Sequence, residues 1–333
     1  SASSASSTST STSSTSQAAG SNIQVQILRS LSEWCGGEQT ERSIYGAYAK
    51  LILQAKRFVY IENQYLISSL AGAGVQNQVF HLLLLRLRQA ILEGSDFRVY
   101  LLFPQPEEVG RSGLPIMQYQ YRTLSRGGAS LMEQLRQEFG QRAVARHVCV
   151  CQLRVYGRKP LAPLSNSTQH DADKKKSEDR PFFSDQIFVH SKLMLVDDES
   201  VIIGSNNLND RSLIGDRDSE LGAIISGASV VKKLRLKLWL EHLGISSQDF
   251  ASSPELVATL DNPASEQAFS LWRQRAELNT KIFEKVFPSI PSNNIRTWAE
   301  FQQILADDSK VVGGAHRNSQ DMQLEHAEAE LKA

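Results

Sequence analysis

The segment spanning residues 188–212, FVHSKLMLVDDESVIIGSNNLNDRS, constrains the fold more than any other part of the chain. Two apolar, β-rich runs flank the turn-forming sequence Asp-Asp-Glu-Ser, which predicts a β-hairpin. A symmetric turn centred between Asp198 and Glu199 would pair Val196 with Val201.

This register brings four polar side chains together. Lys192 would lie opposite Ser205, and His190 opposite Asn207. Residues two apart on a strand share a face, and directly opposed residues share it too, so all four side chains would converge on one patch. The core-facing side would be supplied by Leu193, Leu195, Ile202 and Gly204.

A bound phosphate group would satisfy such a patch, which is costly to bury without a partner. Lys192 offers a compact positive charge, Ser205 and Asn207 offer neutral donors, and His190 can exchange a proton near neutral pH or attack phosphorus. Asp197 has the opposite strand parity and lies at the turn, so we assign it a structural or electrostatic role. A lone His or Lys in a strand indicates an ordinary core or surface residue; the combination of H-x-K, Asp and GSNN indicates catalysis.

Strand-like and helix-like segments alternate along the rest of the chain, which predicts an α/β layer structure. The predicted strands cover residues 23–28, 58–63, 97–103 and 147–156, and the predicted helices cover 44–55, 77–93, 128–140, 228–243 and 265–287. The chain divides into a Ser/Thr-rich leader that we expect to be disordered, a catalytic region with a polar surface loop inserted in it, and a C-terminal helix or tail. These parts cover residues 1–21, 22–290 with the loop at 157–185, and 291–333.

Charge and cysteine content limit the setting in which the chain works. Lys plus Arg and Asp plus Glu both number 36, so there is no overall basic field that would favour nucleic acid. Three cysteines and the absence of a signal-peptide pattern favour a reducing, cytoplasmic location, and the most apolar stretch, 79–92, is too interrupted to span a membrane. His147, Cys149 and Cys151 could share a strand face, but without an apparent fourth ligand a core strand is favoured over a zinc site, and no metal or other cofactor is expected.

The signature H-x-K, with Asp five positions after Lys and then G-S-x-N, resembles that of the phospholipase D superfamily. The run from 189 to 222, with VYIENQYLIS at 59–68, YRTLSRG at 121–127 and LRLKLWLEHLG at 234–244, resembles the eukaryotic phosphatidylcholine-hydrolysing group that bears phox-homology and pleckstrin-homology modules. The resemblance implies a layered sheet with helices on both faces, forming one of two similar halves. It extends from about Ile23 to Trp298.

The resembled family carries two such motifs, whereas this chain has one, placed after IENQ as in the C-terminal half. The resemblance therefore implies a partner, the N-terminal half that supplies the other motif, and a phospholipid substrate at a membrane surface. It places His190, Lys192, Asp197 and Glu220 in the catalytic set. In this set His190 acts as the general acid and base, and Glu220 orients the ring of His190. Asp218 is the second candidate for that orienting carboxylate.

Three functions follow as hypotheses. The first is phospholipase D hydrolysis of phosphatidylcholine through a phosphohistidine, with the isolated half inactive. The second is another phosphodiesterase on the same scaffold, such as a nuclease or a phospholipid synthase, against which IENQ and RDSELG argue. The third is a non-catalytic product that binds lipids or a partner.

Overall fold

The computed structural model describes residues 23–36, 39–104, 114–158 and 182–286. Its strands are β1 (Gln24–Leu31), β2 (Glu41–Arg42), β3 (Phe58–Asn63), β4 (Arg98–Leu102), β5 (Val148–Cys151), β6 (Arg154–Arg158), β7 (Phe182–Gln186), β8 (Lys192–Val196), β9 (Ser200–Gly204) and β10 (Glu220–Ser226). Its helices are α1 (Glu33–Gly36), α2 (Ser43–Gln54), α3 (Val79–Leu92), α4 (Leu114–Leu124), α5 (Leu131–Phe139), α6 (Gln141–His147), α7 (Asp210–Leu213), α8 (Ala228–His242), α9 (Ser247–Ser252), α10 (Pro254–Asp261) and α11 (Glu266–Val286), with a short 3₁₀ turn at Ser69–Ala71.

Eight of these strands form one mixed sheet in the order β2-β1-β10-β9-β8-β3-β4-β5, and β6 and β7 pair separately. β3, β4 and β5 run parallel to one another, and the other neighbours are antiparallel. Every residue of β3, β4 and β8 is buried, which explains why these strands read as nearly continuous apolar runs. Lys192, the first residue of β8, is the predicted site residue that lies on these buried strands.

Helices cover both faces of the central strands, so the predicted α/β class and layering are confirmed. On β3, Val59 and Ile61 point into one core, which is filled from the other side by helices α2 to α6. Phe58 and Tyr60 point into a second core, filled by α8, α10 and α11. This alternation is the period of two expected for a strand between two apolar layers. None of the described helices is long and apolar enough to cross a membrane.

Several predicted boundaries need correction. The single strand predicted for 147–156 is two strands in different sheets, because α6 runs to His147 and the chain leaves the large sheet after Cys151. The predicted loop at 157–185 begins and ends in strand, since β6 pairs with β7 through Gly157 and Phe183. Helices α1, α4, α6, α7, α9 and α10 were not predicted. The predicted leader, the Lys-containing middle of the loop and the tail lie outside the described residues.

The predicted hairpin register is wrong by one residue. Val196 pairs with Ser200 and Leu193 with Ile203, so the loop has three residues instead of four. His190 precedes β8, and Ser205 and Asn207 follow β9, so neither predicted polar pair is a ladder pair. A one-residue shift reverses which side chains share a face.

Both faces of the hairpin carry buried side chains, although Ile203 is exposed. Met194 and Ile202 are opposed and point into the first core, together with Val196. Leu195 and Val201 are opposed and point into the second core. The prediction that Leu193, Leu195, Ile202 and Gly204 form one core-facing side is therefore wrong.

Asp197 and Asp198 determine this turn. Both have positive φ, 58° and 60°, and the amide of Glu199 donates to the carbonyl of Val196 at 3.0 Å, as in a type I′ turn. Only Gly, Asn and Asp adopt this conformation at low cost. The tight turn removes one residue from the loop and so shifts the register.

The carboxylate of Asp197 holds the start of β3. It accepts hydrogen bonds from the backbone amides of Lys56, Arg57 and Phe58 at 2.7, 2.8 and 2.9 Å. The Arg57 side chain donates to the carbonyl of Asp197 at 2.5 Å. Because β3 and β8 are neighbours, this contact fixes their alignment at the end remote from Lys192.

Asp198 binds the opposite layer through Arg235 of α8. The guanidinium donates to both carboxylate oxygens, at 2.6 and 2.8 Å, and to the carbonyl of Leu260 at 2.9 Å. Arg235 has no exposed side-chain surface, and its head group also packs over Trp239. When one partner of such a buried and fully hydrogen-bonded ion pair is removed, the other partner remains as an uncompensated buried charge.

We therefore expect Arg235→Met to lower the free energy of unfolding by about 3–5 kcal/mol, since Met fills the space but leaves the Asp198 carboxylate buried and unpaired. Urea unfolding followed by circular dichroism measures the change. Arg211→Met is the matched control, because the Arg211–Asp218 pair is exposed and its loss is expected to cost under about 1 kcal/mol. Equal destabilisation by the two variants would contradict the prediction.

Candidate active site

Most of the predicted site residues lie where several central strands start or end, whereas Asp197 lies in the turn at the opposite end of β8. β8 begins at Lys192, whose register partner on β3 is Asn63, the last residue of that strand. On the other side of β8, β9 ends at Gly204, which pairs with Gly222 near the start of β10. Antiparallel neighbours bring these ends to one edge of the sheet. The segments after β9 and before β8 therefore share this edge.

Lys192 is almost fully buried, at 7% exposure, and its ammonium points toward this edge. Nζ donates to the side-chain carbonyl of Gln64 at 3.2 Å and to the backbone carbonyl of His190 at 2.7 Å. Burial lowers the pKa of Lys192, and the negative charge of Glu220 opposes that shift. An ammonium group has three protons, so one remains for a ligand.

His190 lies just before β8 and is exposed. Its imidazole stacks beside Phe188, with the ring centroids 6.2 Å apart and the planes 26° from parallel. The ring has no hydrogen-bond partner among the residues that the structure describes. Both ring nitrogens are therefore available for proton transfer or for a partner.

The two adjacent asparagines of GSNN differ in how they are used. The amide of Asn206 is fully buried and donates to the hydroxyl of Tyr48 at 3.4 Å, which gives it a structural role. The side chain of Asn207 makes no hydrogen bond within the described residues, although its Oδ1 is buried. The backbone carbonyl of Asn206 accepts a hydrogen bond at 3.4 Å from the side-chain amide of Asn63. Asn63 is the register partner of Lys192 in the sheet. Asn207 is thus held near Lys192 with its amide uncommitted.

Glu220 joins two serines on the other side of the site. It accepts hydrogen bonds from the hydroxyls of Ser205 and Ser212, the latter at 2.5 Å. The Ser205 hydroxyl also accepts from the amide of Leu221 at 3.2 Å. In this arrangement the one proton of Ser205 is committed to Glu220 and is not free for phosphate.

The orienting carboxylate for His190 stays a prediction. Glu220 carries negative charge close enough to act on Lys192, but it makes no hydrogen bond to His190 within the described residues. Asp218, the second candidate, pairs with Arg211 at 3.0 Å. Glu220 remains the better placed of the two, because it shares the edge with Lys192.

Sequence reasoning missed the roles of the polar residues that end β3. Glu62 accepts from Ser191, Asn63 pairs with Lys192 in the sheet, and Gln64 accepts from its ammonium. A signal was available: three polar residues, Glu-Asn-Gln, directly follow the apolar run that fills a buried strand. Polar residues at the end of a central strand are typical of functional sites in layered α/β proteins.

His147 does not share a strand with the two cysteines. It ends α6, and its Nδ1 lies 2.6 Å from the carbonyl oxygen of Phe97. The thiols of Cys149 and Cys151 are 3.5 Å apart on one side of β5. No group of three potential metal ligands occurs in the described ranges.

Comparison with known proteins gives a consistent family assignment. The family model described as phospholipase D matches residues 4–285. Phospholipase D zeta 1 of Arabidopsis thaliana is 35% identical over 319 residues, which cover 88% of this chain and 27% of that protein. Phospholipase D A of Dictyostelium discoideum is 37% identical over 246 residues, which cover 68% of this chain and 18% of that protein.

The chain spans less than a third of the length of these curated relatives, and the same holds for phospholipase D2 of Bos taurus, 34% identical over 82% of this chain and 29% of that protein. Among solved structures, a phospholipase D family member, Nuc from Salmonella typhimurium, aligns with a TM-score of 0.35 and 13% identity, covering 67% of this chain and 95% of that one.

Proposed function

The chain belongs to the phospholipase D family, and on that basis we propose that it supplies one half of a phospholipase D active site. In this proposal it is the C-terminal half, and it meets an N-terminal half that carries the other H-x-K motif. The completed enzyme hydrolyses phosphatidylcholine to phosphatidate and choline at a membrane surface.

One observation carries the proposal. Three groups that can bind phosphate or act on it lie at one edge of the sheet, and their contacts within the described residues leave hydrogen-bonding capacity for a ligand. Within the described part of the chain, the exposed imidazole of His190 and the side-chain amide of Asn207 make no hydrogen bond, and the ammonium of Lys192 uses two of its three protons. Buried polar groups are normally satisfied within the protein. Lys192 is buried with a proton to spare, and open donors beside a buried ammonium favour an anionic ligand.

The proposed mechanism is double displacement at phosphorus. The histidine of the N-terminal half attacks phosphorus, and the phosphorus–oxygen bond to choline breaks. His190 donates a proton to the departing choline oxygen, then takes a proton from the water that attacks the phosphohistidine. Lys192 and Asn207 hold the phosphoryl oxygens while negative charge redistributes over them. Asp197 takes no part in this pocket, because its carboxylate is bound to the backbone at the start of β3.

The substrate class is tested by co-expressing the chain with a matching N-terminal half and offering the complex phosphatidylcholine vesicles or single-stranded DNA. We expect choline release and no cleavage of DNA. Lys192→Gln is expected to reduce the rate by roughly 10²-fold or more, because a preorganised charge on the phosphoryl group is lost. The matched control is Lys50→Gln, on the exposed surface of α2, which is expected to keep the rate. DNA cleavage without choline release would replace the lipid substrate by a nucleic acid.

A further inference from the structure

A hydrogen-bond network centred on the buried carboxylate of Glu62 joins the exposed Ser191 to residues behind the site. The carboxylate of Glu62 accepts hydrogen bonds from Tyr60 at 2.5 Å, from Ser191 at 2.6 Å and from the Nε2–H of His242 at 2.9 Å. The side chains of Glu62 and His242 are only 5% and 8% exposed. The four residues come from three separate parts of the chain: β3, the end of α8 and the H-x-K segment.

Ser191 is the residue between His190 and Lys192. β8 begins only at Lys192, so the ladder hydrogen bonds of the sheet do not hold the segment that carries His190. Two side-chain contacts hold it instead: Ser191 donates to Glu62, and Lys192 donates to the carbonyl of His190. The position of the imidazole therefore depends on side-chain tethers and not on the sheet.

The pKa shifts in this network keep Glu62 ionised and therefore able to accept hydrogen bonds. Burial raises the pKa of Glu62, but the hydrogen bonds from His242, Ser191 and Tyr60 outweigh that effect and hold the pKa below its ordinary value. Burial, together with the charge of Glu62, raises the pKa of Tyr60 well above its ordinary value, so Tyr60 stays a neutral donor. Glu62 thus has three fixed donors and is a stable anchor for Ser191.

The segment that carries His190 is also held on the side opposite Ser191, by a different residue. Lys192 points to the side of Asn63 and Gln64, whereas Ser191 points to the side of Glu62 and the aromatic core below it. A segment held on both sides has little freedom to rotate. Loss of either tether would let the main chain at His190 move.

We propose that Glu62, held by His242 and Tyr60, is a positioning residue that fixes His190 through the hydroxyl of Ser191. The carboxylate touches neither His190 nor any reacting atom, and it acts only by holding the main chain between the two motif residues. The predicted effect on turnover rests on the proposed function, whereas the effect on the geometry of His190 does not.

Ser191→Ala tests the tether, with Ser200→Ala as the matched control. Ser200 is hydrogen bonded to Ser226 at 3.0 Å, at the other end of the same hairpin, so both variants lose one serine hydroxyl from this hairpin. In ¹H–¹³C spectra of the intact chain, with the His190 ring signal assigned through His190→Asn, we expect Ser191→Ala to shift and broaden that signal. Ser200→Ala is expected to leave it in place, and Ser191→Thr to restore it. A His190 signal unmoved by Ser191→Ala would overturn the proposal.

Kinetics of the two-half complex provide the second readout. We expect Ser191→Ala to lower kcat by roughly ten- to hundredfold with little change in KM, since a catalytic group displaced by about 1 Å costs up to about 10²-fold. Ser191→Thr should recover most of the rate, and Ser200→Ala should match the parent. A parent complex with no phospholipase activity would reject the proposed function, while the spectra would still decide whether Ser191 holds His190. Equal kcat for Ser191→Ala and Ser200→Ala in an active complex would reject the positioning role.

Discussion

His190→Asn in the two-half complex is expected to abolish steady-state hydrolysis of phosphatidylcholine, with a loss of at least about 10⁴-fold, the upper range for one general acid or base. The choline oxygen needs a proton as it leaves, and the unpaired, exposed imidazole of His190 is the group assigned to supply it. Choline release measured under saturating vesicles gives the rate. His81→Asn is the matched control, because His81 lies on α3 outside the site, and it is expected to retain activity.

The same variant separates proton transfer from attack on phosphorus. A phosphodiester with a good leaving group needs little protonation, so His190→Asn should still react once and leave phosphate attached to the histidine of the N-terminal half. Without a base to activate water, the adduct should persist. Rapid quench followed by mass spectrometry locates it. An adduct on His190 in the unmutated complex would exchange the roles of the two histidines and keep the double-displacement chemistry.

The second large effect concerns the chain by itself. We expect the purified 333-residue chain to show no measurable phospholipase D turnover, because it contains one H-x-K-x4-D motif and the proposed mechanism requires two histidines. Co-expression with a matching N-terminal half should produce activity from an inactive background. The measurement is choline release before and after mixing, with the state of assembly followed by light scattering.

Two results would speak against that expectation. Hydrolysis by the purified monomer would mean that one histidine is enough. Activity confined to a dimer of this chain would mean that two copies of the motif complete a site between them. A dimer without activity would support the requirement for a distinct N-terminal half.

The class of fold could be predicted because it depends on local patterns, and the candidate site residues were chosen from patterns of the same kind. The apolar runs of β3, β4 and β8 and the H-x-K and GSNN motifs are visible in the sequence alone. The register of the hairpin could not be predicted. It depends on the positive φ values of Asp197 and Asp198, whose carboxylates are held by residues about 140 and 37 positions away along the chain.

The hydrogen-bond partners within the candidate site could not be predicted for the same reason. Ser205 was expected to donate to phosphate, but its proton is committed to Glu220, which the sequence places 15 residues later without showing contact. The network of Glu62 with Ser191 and His242 joins residues separated by 129 and 180 positions. Spacing along the chain indicates which residues form a hairpin, whereas its register and partners of this kind are fixed only when distant elements pack.

The turn between β8 and β9 has a consequence for engineering. Hairpin tips are usually tolerant places for an inserted tag, a new chain terminus or a consensus Asn-Gly turn. Here the tip is bonded to the start of β3 through Asp197 and to α8 through Asp198, so it is held by the neighbouring strand and by one helix layer. Replacing Asp-Asp by Asn-Gly would give a sequence that favours this type of turn. It would also leave the buried guanidinium of Arg235 without a counter-charge. A split-reporter or permuted form of this chain should therefore be opened elsewhere.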